Sequence, residues 1–191
     1  MRLSDSVGTT GDGGGVANDG HLPVMVEEVV LMLAPAPGCR QIDATLGGGG
    51  HAERILEASD PDGRLLGIDA DGAAVARVRA RLAPRFGDRL RLRQGNFRDL
   101  AEIGPEESFD GVDGCLFDLG LSSFQLRDVD RGFGIRAGGP LDMRFDTSRG
   151  VPAADLLATL DARELAALFG RYGEEPRAGR IARAIVDARR T

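Results

Sequence analysis

Tryptophan and lysine are missing from this 191-residue chain, tyrosine occurs once, and cysteine and histidine occur twice each. With aromatic residues at only 5%, a core must be assembled from leucine, valine, isoleucine and alanine. The two cysteines, Cys39 and Cys115, give no disulfide framework. Both sit beside apolar runs and read as small buried residues in a reducing compartment. Two histidines and no cysteine pair at ligand spacing give a metal little to bind, so no metal site is expected. No apolar run approaches the roughly 20 residues that span a bilayer, and the N-terminus lacks the apolar centre of a signal peptide. A cytosolic protein without membrane contacts is expected. The net charge of −6 argues against bulk attraction to nucleic acid. The positive charges are nonetheless all arginine and gather toward the C-terminus, from Arg127 and Arg131 through Arg180, Arg183 and Arg190. A planar guanidinium fork suits phosphate.

What the chain does have is glycine, four of them in a row. Ile42–Ala52 reads as a short apolar strand ending in Asp43, a turn through Gly47–Gly50, and the start of an amphipathic helix over Ala52–Ala58. Glycines permit backbone angles closed to other residues and let a ligand lie against main-chain N–H groups. Strand, glycine turn and helix in that order open a nucleotide-type binding fold.

Around this stretch the chain divides readily. Residues 1–20 are polar and glycine-rich and predict a disordered tail. A helix is expected over 24–33, with Pro23 in its first turn and Pro35 and Pro37 ending it. Asp60-Pro61-Asp62-Gly63 marks a turn before a buried strand, Arg64–Asp69. A helix over Ala73–Leu82 stops near Pro84. A third strand covers Leu90–Gln94 and ends at Gly95-Asn96-Phe97, and a fourth covers Gly111–Phe117 and ends at Asp118. Alternating strands and helices predict an α/β fold with a parallel, doubly wound sheet. Ligands of such sheets lie at the carboxyl ends of the strands, where Asp43, the glycine loop, Asp69, Phe97 and Asp118 all fall.

Two ligands compete for that crevice. Gly47-x-Gly49-x-x-Ala52 satisfies the dinucleotide fingerprint, and Asp69 lies at the roughly 20-residue distance from which a carboxylate reaches ribose hydroxyls. An NAD-dependent oxidoreductase is therefore a serious alternative. Asp43, just before the loop, would repel a pyrophosphate but could meet an ammonium group or hold loop amides. The fourth strand delivers a polar loop, Asp118–Gln125, where a methyl acceptor would lie. Both favour S-adenosylmethionine.

Seven blocks extend the comparison to nearly the whole chain past its tail. They are His21-x-Pro23-Val24, Asp43-x-Thr45-x-Gly47-x-Gly49-Gly50-His51, Asp118-Leu119-Gly120-x-Ser122-Ser123-x-Gln125-Leu126, Arg131-Gly132-Phe133, Gly139–Arg144, Tyr172–Glu175 and Arg180–Ile185. Together they resemble the RsmH/MraW family, bacterial methyltransferases acting on N4 of a cytidine in the decoding region of 16S ribosomal RNA. The resemblance implies a Rossmann-like class I methyltransferase fold, S-adenosylmethionine as cofactor, and 16S rRNA in the small ribosomal subunit as partner. It leaves open a homodimer, the oligomeric state being unreadable from sequence. It also implies site residues: Gly49, Gly50 and His51 at the donor through the loop, Asp69 on its ribose, Phe97 and Asp118 lining the adenosine and methionine region, and Gln125 reaching the same site. The sequence departs from the family at Gly48, where a basic residue is common, at Ala44 for a usual glycine, and at Phe124, where proline is frequent.

The expected division is a tail over 1–20, a donor-binding half over 21–120, and an acceptor loop with part of a helical insert over 121–191. The family's chain continues further. The resemblance therefore implies an incomplete sheet with an apolar edge on the fourth strand, and a poorly soluble, weakly active species in isolation; a non-catalytic remnant that keeps the fold without turnover is the alternative. Asp118 is the residue expected to accept from the cytosine amine during transfer; holding the donor's methionine portion is the competing role. Asp142 and Arg144 are expected to pair internally and shape the acceptor loop, with facing RNA as the alternative. Arg180 and Arg183 face either solvent or phosphate, beside Ile181 and Ile185. Asp161–Glu164 makes a capping box, and a final helix is expected over 175–190.

Overall fold

The computed structural model describes residues 23–135 and 138–189; His21, the expected tail and Arg190 lie outside them. Four parallel strands form one sheet in the order β3-β2-β1-β4: β1 (Arg40–Asp43), β2 (Arg64–Asp69), β3 (Leu90–Gln94) and β4 (Gly114–Leu116). Ile42 stands opposite Leu66 on one side and Cys115 on the other, and Asp69 stands opposite Gln94. Successive strand residues point to opposite faces, and β2 shows the consequence. Leu65 belongs to a core with Ala52, Ile55, Val78, Leu82 and Phe86, under helices α2 (Gly50–Ala58) and α3 (Gly72–Phe86). Leu66 and Ile68 belong to a second core with Ile42, Ile103 and Phe109, under α4 (Leu100–Glu106). Helices cover both faces, which is the doubly wound arrangement.

Several boundaries differ from the sequence reading. Helix α1 (Val26–Leu33) starts late, after a left-handed Met25 (φ 54°). Pro23 and Val24 are drawn instead onto the start of α2, where a Cβ on Gly50 would overlap the Pro23 ring. Helix α3 runs through Pro84 to Phe86, whose buried ring holds the last turn, and Gly87 (φ 51°) ends it. A proline costs a helix the bond its N–H would make, and one more buried ring outweighs it here. Strand β4 keeps three residues because Asp113 caps its start, its carboxylate accepting from the Arg40 N–H at 2.8 Å. The cysteines are half-buried rather than buried.

Beyond β4 come α5 (Ser123–Arg127), α6 (Ala153–Thr159), α7 (Ala162–Gly173) and α8 (Ala178–Ala188). Helix α7 carries the expected capping box, Asp161 accepting from the Arg163 and Glu164 amides at 2.8 Å each. Helix α8 begins at Ala178 rather than Glu175, because Glu174 turns left-handed and the Glu175 side chain accepts from the Arg177 amide. No helix among the described residues is long and apolar enough to cross a membrane.

Candidate functional site: a glycine loop ringed by carboxylates

The loop after β1 is pinned to the sheet on both sides. Ala44 donates to the Leu116 carbonyl of β4, and Leu46 to the Ile68 carbonyl of β2, each at 2.9 Å. Asp43 is 1% exposed; one oxygen accepts from the Thr45 amide at 3.1 Å, while the other, Oδ2, is buried without a partner. Gly47 and Gly49 are left-handed, at φ 50° and 74°. Gly49 is the N-cap of α2 and brings no side chain to the first turn, leaving its amides open to a ligand. A Cβ on Gly49 would sit 2.8 Å from both methyl carbons of Val78. Gly49→Ala is therefore expected to lower stability by about 2–4 kcal/mol, from backbone strain plus overpacking, measured as a shift in urea midpoint at unchanged slope.

Asp69, at the end of β2, braces the loop. Its Oδ2 accepts from the Gly47 amide at 2.7 Å and its Oδ1 from the Asp71 amide at 2.9 Å. Asp118 arrives from β4: its amide donates to Thr45 Oγ1 at 2.7 Å, and its side chain is half-exposed. His51, 7% exposed in the first turn of α2, points Nε2 at the Val24 carbonyl, 2.9 Å away. That nitrogen must carry a proton, which leaves Nδ1 facing Asp118 Oδ2 at 3.9 Å. Phe97 and Phe117 follow strands on opposite edges of the sheet, yet their rings meet edge to face with centroids 5.9 Å apart.

Three carboxylates thus crowd one loop. Burial pushes Asp43 up to about 7; the Thr45 amide opposes that rise, and the charges of Asp69 and Asp118 add to it. Burial also raises Asp69, against the two amide bonds that hold it, with Arg77 as a partial counter-charge. Burial, with Asp43 nearby, pushes the Cys115 thiol up.

Of the residues expected at the site, Gly49, Gly50, His51, Asp69 and Asp118 gather around the loop, and Phe97 stands at the third strand's end. Gln125 does not present a free amide there. It is 5% exposed, closes a capping box with Ser122, and donates to Asp71 Oδ2 at 3.3 Å. Ser122-x-x-Gln125 carries the sequence signature of that box. Asp142 and Arg144 pair as expected, at 2.6 and 2.8 Å, and the fork holds the Asp142 carboxyl down at about 2. Beside the loop, past the ends of β2 and β3, lies a cleft of ≈ 770 Å³ between Ala70, Gly95 and Asn96 on the sheet side and Met143, Phe145 and Arg149 opposite.

Parallel sheet, glycine loop and acidic strand ends together define a Rossmann-like methyltransferase fold. The model of the MraW methylase family matches residues 18–191. Over 189 residues the chain is 57% identical to the ribosomal RNA small subunit methyltransferase H of Thermomicrobium roseum, covering 99% of this chain and 55% of that protein. The proteins of the same name from Syntrophotalea carbinolica and Trichlorobacter lovleyi are 51% and 52% identical over 169 residues, covering 88% of this chain and 54% of each. The chain belongs to the MraW methylase family, and it spans about half the length of the curated relatives it matches.

Proposed function

We propose that the chain carries the donor-binding half and part of the acceptor side of a cytosolic ribosomal RNA methyltransferase. It uses S-adenosylmethionine and acts on N4 of a cytidine in the decoding region of 16S rRNA, within the small subunit. Residues 21–120 take the donor, and residues 121–191 begin the acceptor side. The observation that carries this reading is the ring of Asp43, Asp69 and Asp118 about open main-chain amides, with one Asp43 oxygen buried and unpaired. Such a field suits a ligand bearing a sulfonium and an ammonium, and repels a pyrophosphate. A dinucleotide is disfavoured on the same ground.

When bound, the donor supplies an electrophilic methyl group on a positively charged sulfur. Asp69 would hold the ribose hydroxyls, Gly50 would offer its main-chain amide, Gly49, whose own N–H donates to the Leu46 carbonyl at 2.7 Å, would let the donor approach free of a side chain, and Phe97 with Phe117 would flank the adenosine. The cytosine amine is conjugated and a poor nucleophile, so holding it in line supplies much of the acceleration. Asp118 is the half-exposed carboxylate at the strand end nearest the acceptor. There it accepts from the amine N–H and takes up its growing positive charge. Gln125 acts at one remove, through Asp71.

Asp118→Ala is expected to abolish methylation of small ribosomal subunits, a loss of at least about 100-fold, while donor affinity measured alone changes little. A parallel collapse of donor affinity would instead assign Asp118 to the donor's methionine portion. Retained methylation would remove it from the site.

A further inference from the structure

The residue that joins the two sides of the cleft is one the chemistry above does not use. Arg131 is 9% exposed and ends a 3-10 turn, Val129–Arg131. Its Nη1 donates to Asp71 Oδ2 at 3.1 Å, sixty residues away, and Asp71 is itself 3% exposed. Its Nη2 donates to the carbonyls of Arg144 and Phe145 at 2.8 and 2.7 Å, and its own carbonyl accepts from the Met143 amide at 2.8 Å. One residue thus suspends 143–145, a wall of the cleft, from the start of α3. Asp71 is equally committed: Oδ1 caps α3 through the Ala73 amide at 3.0 Å, and its N–H donates to Asp69 Oδ1. The bonds run unbroken from the Gly47 amide through Asp69, Asp71 and Arg131 to the cleft wall.

Stability alone is a poor reason for this pair. A buried ion pair adds little over an apolar replacement, because desolvation consumes most of the Coulombic gain. Arg131 Nε is also buried without a partner, a further cost. What the guanidinium supplies and a leucine could not is direction, three bonds fixing two main-chain carbonyls to one carboxylate. A second contact ties α5 to the glycine loop and α3. The Phe124 ring lies over Gly48, where a Cβ would come within 3.3 Å of it, and Arg77 stacks on that ring at 4.7 Å while its charge also reaches Asp69.

We propose that Asp71 and Arg131 are positioning residues that carry occupancy of the donor site at Asp69 to the 143–150 wall, so that the acceptor side is ordered when the donor is bound. This rests on the donor reading above. Ribose hydroxyls on Asp69 share the two oxygens that hold Gly47 and Asp71, so donor binding alters the bond by which Asp71 is held. Coupling of this kind needs a contiguous element that both sites bias, and this bond chain is one.

The test is hydrogen–deuterium exchange of segments 141–150 and 64–69, with and without S-adenosylhomocysteine, alongside calorimetric titration of that ligand. In the wild-type chain the ligand is expected to slow exchange of 141–150 at least threefold. In Arg131→Gln that slowing disappears, while ligand affinity stays within threefold and 64–69 remains protected. If Arg131→Gln also loses protection of 64–69, Arg131→Lys decides. It keeps a charge on Asp71 but cannot reach both carbonyls as well, and is expected to lose at least half the slowing. Full slowing in whichever variant stays folded, or none in a wild-type chain that binds the ligand, overturns the proposal. A wild-type chain that gives no binding heat overturns the donor reading instead.

Discussion

Asp43→Asn is expected to make the protein more stable and a poorer donor binder at once. Burial raises the carboxyl to about 7 in the folded chain, against an ordinary 3.8. The folded state therefore holds an extra proton between about pH 4 and pH 7. Stability from this group is complete below that window and is lost as pH rises through it. Three units correspond to about 4 kcal/mol at most. An asparagine keeps an oxygen for the Thr45 amide and has no charge to bury, although its NH2 meets no acceptor. At pH 8 the variant should be more stable by about 2–3 kcal/mol, a rise of roughly 5–10 °C in Tm, and the advantage should vanish near pH 4. Affinity for S-adenosylmethionine should fall about tenfold or more, because the charge that complements the donor is gone. Equal melting temperatures at pH 8 would mean that Asp43 is ionised without penalty, and the electrostatic account of the crevice would fail.

The site was legible in the sequence where it depends on short-range order. Strands β2 and β3 run over the expected residues because buried parallel strands are continuous runs bounded by turn residues, here Asp60–Gly63 and Gly95-Asn96. The acidic residue closing β2 fell at the right distance from the glycines for the same reason. Partnerships across the fold left no such trace. Asp71 and Arg131 lie sixty residues apart with no periodicity to link them. Nor does any spacing in the sequence link Arg81 and Arg85 of α3 to Glu53 of α2, which they grip in the fold. Pro84 misled because a local breaker was weighed without the buried Phe86 beyond it. The strap at Pro23 and Val24 escaped because only the folded chain brings it against Gly50 and His51.

Asp69→Asn is expected to cost both the loop and the ligand. The carboxylate accepts from two amides, Gly47 and Asp71, one on each oxygen. An asparagine has a single acceptor oxygen, and its NH2 would face one of those N–H groups donor to donor. The conservative change therefore breaks one of the two bonds and removes half of what a ribose would find. Donor affinity should fall by about 100-fold, equivalent to about 3 kcal/mol, and stability by about 1–3 kcal/mol for the buried amide left unpaired. Calorimetric titration and a urea melt measure the two losses separately. Unchanged donor affinity would move the ribose away from β2.

The central claim is that this crevice receives a cationic adenosyl donor, and calorimetric titration of the wild-type chain with S-adenosylmethionine at pH 5.5 and pH 7.5 tests it most directly. Binding should be one to one and about tenfold tighter at the higher pH, where Asp43 sheds its proton to meet the donor's charge; NADH should give no heat. Binding of NADH in place of the methyl donor, or a donor affinity indifferent to pH, would contradict it.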